Sequence, residues 1–276
     1  MTSQKGMVLM LIDYHLHSQF SCDSRTNMDA ICQAALNAGL NEIAFTDHMD
    51  FTWPHQYENH YVHDLDNYLH TISIYQDKYA GQLNIRAGLE IGLEKHRLND
   101  YEKILKKYPL DFVIGSVHEI GGIAVSQKAF FQGKSKAQVY RQYYSNLLEC
   151  IRMFDNFDVI GHLDYCKRYA PFCYEPGDHL LAMDLVTEIL NELIKRGKGI
   201  EINTSGYRHC SCMCLPHFDI LRHYRQLGGS RITIGSDSHR AEYVGYKAAE
   251  TTDVLKVLGY THISTFSQRR EIPVEI

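Results

Sequence analysis

Histidines and carboxylates recur in this sequence at one kind of place. His15 and His17, in "DYHLHSQF", are two residues apart, so in an extended strand their side chains share one face. Further along, short apolar runs end in Asp47 and His48, in Glu90, in His118, in His162 and Asp164, and in Asp237 and His239. Imidazole and carboxylate are donors that zinc, manganese and iron accept. A single histidine at a strand end is ordinarily packing or surface decoration. Here six of the 16 histidines fall at such ends, in the company of acids. Imidazoles crowded together repel when protonated, and metal ions relieve that crowding, so the group as a whole predicts a metal site.

The elements that must position these residues are strands and helices in alternation. The apolar runs 7–15, 42–48, 84–92, 111–118, 158–165, 199–206 and 231–239 predict seven strands. Helical patterns start at Met28, Leu65, Ser135 and His179, the first stopping at Gly39 and the last at Gly197. Such alternation predicts βα units around a parallel sheet. No Pro/Gly-rich linker interrupts it, so one closed barrel and one domain over 1–276 are expected. The competing doubly wound sheet usually carries a G-x-G-x-x-G turn, and the sequence has none. In a parallel α/β barrel the C-terminal strand ends share one rim, where the histidines and acids would meet.

Composition narrows the function. With 276 residues, 45% hydrophobic, the chain can bury a sizeable core. A net charge of −5 argues against a general nucleic-acid binder, whose footprint is basic. The apolar stretch before Asp13 is too short for a signal peptide or a membrane span, and no later run reaches the ~18 residues that spanning needs. A cytoplasmic protein with no membrane association is expected. The eight cysteines read as reduced thiols. Cys210, Cys212 and Cys214, in "HCSCMCLPH", admit a zinc site with His209 or His217, but Cys-x-Cys-x-Cys lacks the spacing of zinc knuckles, so loop thiols are expected. His55, His60 and His63 read as solvated loop histidines, and the 19 tyrosines as packing.

H-x-H at 15–17, "FTDH" at 45–48, "GLE" at 88–90, "GSVH" at 115–118, "GHLD" at 161–164 and "GSDSH" at 235–239 form an ordered set. The set resembles the polymerase and histidinol phosphatase (PHP) superfamily from residue 13 to about 240. "TDHMDF" and "GHLDYCKRYAP" make it most similar to the histidinol-phosphatases within that superfamily. The resemblance implies a distorted, TIM-like (β/α)7 barrel holding up to three divalent metal ions, zinc, manganese or iron. His15, His17, Glu90 and Asp237 would hold the first. Glu90 would bridge to a second, completed by His118 and His162. Asp23, His48 and His239 would hold the third; many superfamily members have histidine where this chain has Asp23.

The implied reaction is hydrolysis of L-histidinol phosphate to L-histidinol and inorganic phosphate, a step of histidine biosynthesis. A metal pair would activate water for in-line attack on phosphorus. Asp164 or a metal-bound water would protonate the leaving alkoxide. Arg168 and Arg208 match phosphate-contacting positions, and arginine binds phosphate oxygens in a bidentate fork. Lys167 is expected to be a solvated neighbour, Asp47 and Glu119 orienting partners or surface acids, and Asp50 and Glu94 have no assigned part. The expected partner is a small-molecule phosphate monoester, with no nucleic acid, for a monomer or homodimer. The loop "HCSCMCLP" departs from the family, which leaves open a PHP phosphoesterase for another phosphorylated metabolite or a nucleic-acid end. A metal-binding module without turnover is the other class. It is disfavoured because all nine ligand positions hold competent residues.

Overall fold

Seven of the apolar runs become parallel strands: β1 (Ile12–Leu16), β2 (Glu42–Phe45), β3 (Asn84–Gly92), β4 (Phe112–Ser116), β5 (Val159–Ile160), β6 (Gly199–Asn203) and β7 (Ile232–Gly235). They come from a computed structural model that describes residues 10–51, 64–173, 175, 177–209 and 213–276. Each strand pairs in parallel with the next in chain order. Strands covered on both faces read as continuous hydrophobic runs, and every residue of β1, β4 and β6 is buried. The ring closes between its first and last strands at one bridge, where the His17 N–H donates to the Ser238 carbonyl at 2.9 Å. The outcome is the expected distorted, nearly closed barrel.

Helices α1 (Met28–Asn37), α2 (Leu65–Lys78), α3 (Leu98–Lys107), α4 (Lys136–Met153), α5 (Met183–Lys195), α6 (Phe218–Gln226) and α7 (Ala248–Val257) fill the connections. Their starts are set locally. The Asn27 side chain accepts from the Ala30 N–H, and Ser135 with Gln138 forms a reciprocal capping box at α4. The pattern starting at His179 divides into a 3-10 turn, Asp178–Ala182, and α5. Among the described residues no helix is long and apolar enough to cross a membrane.

Two departures from the predicted strands matter. The second run stops at Phe45 and resumes as His48–Met49, which pairs with Glu90–Ile91 of β3. That break sets His48 directly beside Glu90. The chain also ends in an antiparallel hairpin, β8 (His262–Ser267) and β9 (Arg270–Glu275), that the βα pattern does not contain. Its contacts fall where barrel strands begin: Phe266 packs on Tyr14 and Phe112, the Phe266 N–H donates to Tyr14 Oη at 2.9 Å, and the Ile232 N–H donates to Ser264 Oγ at 3.2 Å. The hairpin therefore covers the end of the barrel opposite the histidines.

Candidate metal centre

Glu90, near the end of β3, is fully buried and stands at the middle of the histidines. Its Oε2 lies 3.2 Å from His15 Nε2, 3.5 Å from His17 Nε2 and 3.0 Å from His48 Nδ1. Its Oε1 lies 2.9 Å from His162 Nε2 and 3.3 Å from His118 Nε2, and accepts from Ser116 Oγ at 2.7 Å. Each carboxylate oxygen thus faces a different set of imidazoles. Asp237 Oδ1 is 3.5 Å from His17 Nε2 and 3.7 Å from His239 Nδ1. Asp23 Oδ2 is 3.1 Å from His239 Nε2 and 3.6 Å from His48 Nε2. All nine residues singled out as ligands are brought into this one connected cluster. The grouping is less partitioned than expected, because His48 stands between Asp23 and Glu90 and pairs with both.

The residues fit divalent metal. Donor atoms of His15, His17 and Glu90, of His15, His162 and Asp237, of His48, Glu90 and His118, and of His17, His48 and His239 lie within 4.8 Å of one another in each set. His15 Nε2, His17 Nε2 and Glu90 Oε2 are buried and make no hydrogen bond. A buried polar atom left so costs ~1–3 kcal/mol, and a cation at their meeting point satisfies all three. The His17 ring stacks on His239 at 4.1 Å and lies 4.2 Å from His48, a crowding that protonated rings resist.

The electrostatics carry the same strain. Burial lowers the His15 pKa, yet Glu201, Glu90 and Asp237 together hold it well above the ordinary imidazole value. Burial and the nearby His239 and His48 push His17 well below it. Burial opposes ionisation of Glu90, but His15, His118 and His48 outweigh it and hold the carboxyl well below its usual range. His118 is lifted to about 9, its burial offset by Asp50 and Glu90.

The two arginines flank Asp237. Arg168 sits on a single helical turn, Cys166–Tyr169, after β5; its Nη2 is 2.5 Å from Asp237 Oδ2 and also donates to Ser205 Oγ. Arg208 ends a 3-10 turn, Thr204–Arg208, after β6; its Nη2 donates to the carbonyls of Ser236 and Asp237 at 2.9 and 3.2 Å. Arg168 Nε and Arg208 Nη1 are buried and make no hydrogen bond, so each arginine keeps a donor for an oxyanion.

Other residues are placed differently from expectation. Lys167 is buried rather than solvated, and its Nζ donates to Asp164 Oδ2 at 2.8 Å. Asp164 also accepts from the His217 N–H at 3.2 Å, and among the described residues it makes no hydrogen bond or ion pair with the nine ligand candidates. Asp47 accepts from Ser18 and from Ser21, whose Oγ lies 3.1 Å from His17 Nδ1, so it backs His17 through a hydroxyl. Glu119 accepts from the Gly122 N–H in a turn. Glu94 accepts from Tyr101 Oη at 3.0 Å. Cys214 is buried with its Sγ 3.2 Å from the Pro216 carbonyl, and His217 stands with His179 and Asp219. Cys210, Cys212, His55, His60 and His63 lie outside the described residues.

Three polar residues of the site, Glu201, Asn203 and Ser205, are not among the sequence candidates, and Asp50, which has no part assigned from the sequence, joins them. The signal was present for Glu201, a lone acid between Ile200 and Ile202 in a strand whose every residue is buried. Asp50 is two residues past His48 and is buried as well.

Asp23 is the most open of the nine, its side chain 38% exposed. Metal held by Asp23, His48 and His239 should therefore leave first. Graded chelation followed by metal analysis is expected to remove this ion before the others. Asp23→His, which supplies the softer donor, is expected to retain zinc to roughly tenfold higher chelator concentration.

Comparison with known proteins gives a consistent set of likenesses. The PHP domain family model matches residues 13–205. A histidinol-phosphatase of Lactococcus lactis subsp. lactis is 33% identical over 257 residues, 93% of this chain and 94% of its own length. A probable histidinol-phosphatase of Clostridium acetobutylicum is 32% identical over 238 residues, 86% of this chain and 89% of its own. The crystal structure of the Lactococcus lactis histidinol phosphate phosphatase, complexed with zinc, L-histidinol and phosphate, superimposes with a TM-score of 0.86 at 32% identity, over 96% of this chain and 100% of that one.

Proposed function

Since the chain belongs to the PHP domain family, we propose that it is a metal-dependent phosphatase that hydrolyses L-histidinol phosphate to L-histidinol and inorganic phosphate. The observation that carries this is the convergence of nine imidazole and carboxylate side chains around Glu90, with unfilled arginine donors beside them, in a chain this similar to histidinol-phosphatases.

His15, His17, Glu90 and Asp237 would hold one metal; Glu90, His118 and His162 a second; Asp23, His48 and His239 a third. Bound there, divalent metal lowers the pKa of water and neutralises charge on phosphoryl oxygens. The chain's own groups do the rest. Arg168 Nε and Arg208 Nη1 bind phosphate oxygens, since both donors are buried beside Asp237 and unused within the protein. Burial lowers the Arg208 pKa, an effect that Asp237 and Asp13 offset only in part. The Asp164–Lys167 pair is the proposed proton source for the leaving alkoxide: the Lys167 ammonium passes a proton to the Asp164 carboxylate 2.8 Å away as that carboxyl protonates the alkoxide. Seven of these nine ligand residues are buried away from bulk water, while Asp23 and His239 mark the side of the site that opens to solvent. The protein is proposed to work in the cytoplasm on a small molecule and not on nucleic acid, as one domain over 1–276, in a monomer or homodimer.

The test is phosphate release from L-histidinol phosphate against a panel of other monoesters, with metal content measured on the same sample. Strong preference for L-histidinol phosphate, lost with chelator and restored by zinc or manganese, is the expected result. Metal-dependent release from other esters with little from L-histidinol phosphate would overturn the substrate and keep the chemistry.

A further inference from the structure

Two carboxylates outside the nine ligand candidates lie directly behind ligand histidines, one on each side of Glu90. Glu201 Oε1 is 2.6 Å from His15 Nδ1. Asp50 Oδ1 is 2.9 Å from His118 Nδ1. A carboxylate oxygen accepts, so each imidazole must donate its Nδ1–H. That fixes the tautomer and leaves the Nε2 lone pair of each ring aimed inward. His15 Nε2 is 3.2 Å from Glu90 Oε2, and His118 Nε2 is 3.3 Å from Glu90 Oε1.

Glu201 does more than orient a ring. Its Oε2 accepts from the His162 backbone N–H at 2.8 Å. His162 has φ of 22°, in the left-handed region that a side chain rarely adopts, so this hydrogen bond holds a ligand residue in a strained backbone position. One carboxylate thus fixes a ligand from β1 by its ring and a ligand after β5 by its backbone.

The space for both carboxylates is opened by strand glycines. A Cβ at Gly235 would lie 2.2 Å from Glu201 Oε1 and 2.4 Å from the His15 Cβ. A Cβ at Gly92 would lie 2.2 Å from Asp50 Oδ1. Two separate strands therefore give up a side chain at the point where a carboxylate must pass.

We propose that Glu201 and Asp50 are positioning residues that pre-orient His15, His162 and His118 for metal, one carboxylate serving each side of Glu90. This rests on the metal-phosphatase reading above. Hydrogen-bonded carboxylates behind metal-binding histidines fix the ring and strengthen it as a donor, and their loss typically costs ~10–100-fold in metal affinity.

The two sites differ in what an amide can replace. Asn at position 50 can still accept from His118 with its oxygen. Glu201→Gln leaves one oxygen and one NH2 where three N–H donors must be accepted, from His15 Nδ1, the His162 backbone and Asn203 Nδ2, so either His15 Nδ1–H or the other two meet another donor. Glu201→Gln should therefore weaken metal more than Asp50→Asn. Gly235→Ala presses on both Glu201 and the Cβ of His15 without removing either, and should act in the same direction.

Zinc affinity is measured by competition with a chromogenic chelator on Glu201→Gln, Asp50→Asn and Gly235→Ala, with circular dichroism and melting of each metal-free form. The expected result is a ~10–100-fold loss of zinc affinity for Glu201→Gln and a smaller loss for Asp50→Asn, each larger than the fold-change by which the metal-free folding equilibrium weakens. Wild-type zinc affinity in folded Glu201→Gln overturns the inference alone. Equal loss of metal-free stability and of affinity also overturns it, because that marks a structural role. If Glu201→Gln does not fold, Asp50→Asn decides: unchanged zinc affinity overturns the proposal and a reduced one supports it. A wild-type protein that takes up no zinc overturns the metal reading and this inference together.

Discussion

Replacing Glu90 by glutamine is expected to lower phosphate release from L-histidinol phosphate by roughly a thousandfold or more, the scale on which loss of a central charge-stabilising group is felt. The reason lies in how many groups depend on this one side chain. Five histidine rings, His15, His17, His48, His118 and His162, approach its two oxygens at 2.9 to 3.5 Å. An amide keeps the shape and one oxygen. Its NH2, however, takes the place of an acceptor in front of at least two imidazole nitrogens, and the negative charge between the proposed metals is gone. Kinetics alone would leave the cause open, so metal content must be counted on the same sample. Loss of rate together with loss of bound metal is expected, at near-wild-type helical content by circular dichroism. A variant with full metal and a rate within tenfold of wild type would show that Glu90 does not bridge.

Much of this site could be read from the sequence because the barrel ties chemistry to strand ends. Glu90, His118 and His162 each close an apolar run, and the runs became β3, β4 and β5. In the sequence His48 ends what looks like one unbroken strand. It is the start of a second short pairing with β3, and local propensity does not show where a strand breaks and resumes. Asp50 and Glu201 escaped for a different reason. They touch ligands and would not touch metal, so no donor-spacing rule finds them. Only their burial, Glu201 between two isoleucines and beside Gly235, Asp50 beside Gly92, gives them away. The terminal hairpin was invisible to a βα argument because it adds no parallel strand. Its role depends on Tyr14 and Phe112, far away in sequence. Helices α3, α6 and α7 do not stand out in the sequence: the first two carry only a narrow apolar stripe, Leu98, Tyr101 and Leu105 in one, Ile220, Leu221 and Tyr224 in the other, and α7 buries small and polar Ala248, Thr251 and Thr252 beside Leu255.

Arg168 separates two effects that most active-site substitutions confound. Its Nη2 is committed to Asp237 Oδ2, a proposed ligand, while its Nε makes no hydrogen bond and is open to phosphate. Burial opposes its charge, and Asp237 overcomes that and raises its pKa, so the pair is tightly coupled. Arg168→Ala removes both functions. Catalytic efficiency is expected to fall by about 100- to 1,000-fold, and the metal-free protein should lose about 3–5 kcal/mol of stability, because Asp237 is left buried without its cation. Arg168→Lys then divides the two. A lysine has a point charge on a flexible stem and no planar fork; it can pair with Asp237 or reach phosphate, but it cannot do both from fixed positions. Denaturant unfolding of metal-free Arg168→Lys should recover most of the lost stability, while kcat/KM stays within about tenfold of the alanine variant. Recovery of both would mean that one charge near Asp237 suffices and that the fork has no part in holding phosphate. Recovery of neither would mean that the stability resides in the Ser205 and Asn203 contacts of the guanidinium rather than in the ion pair.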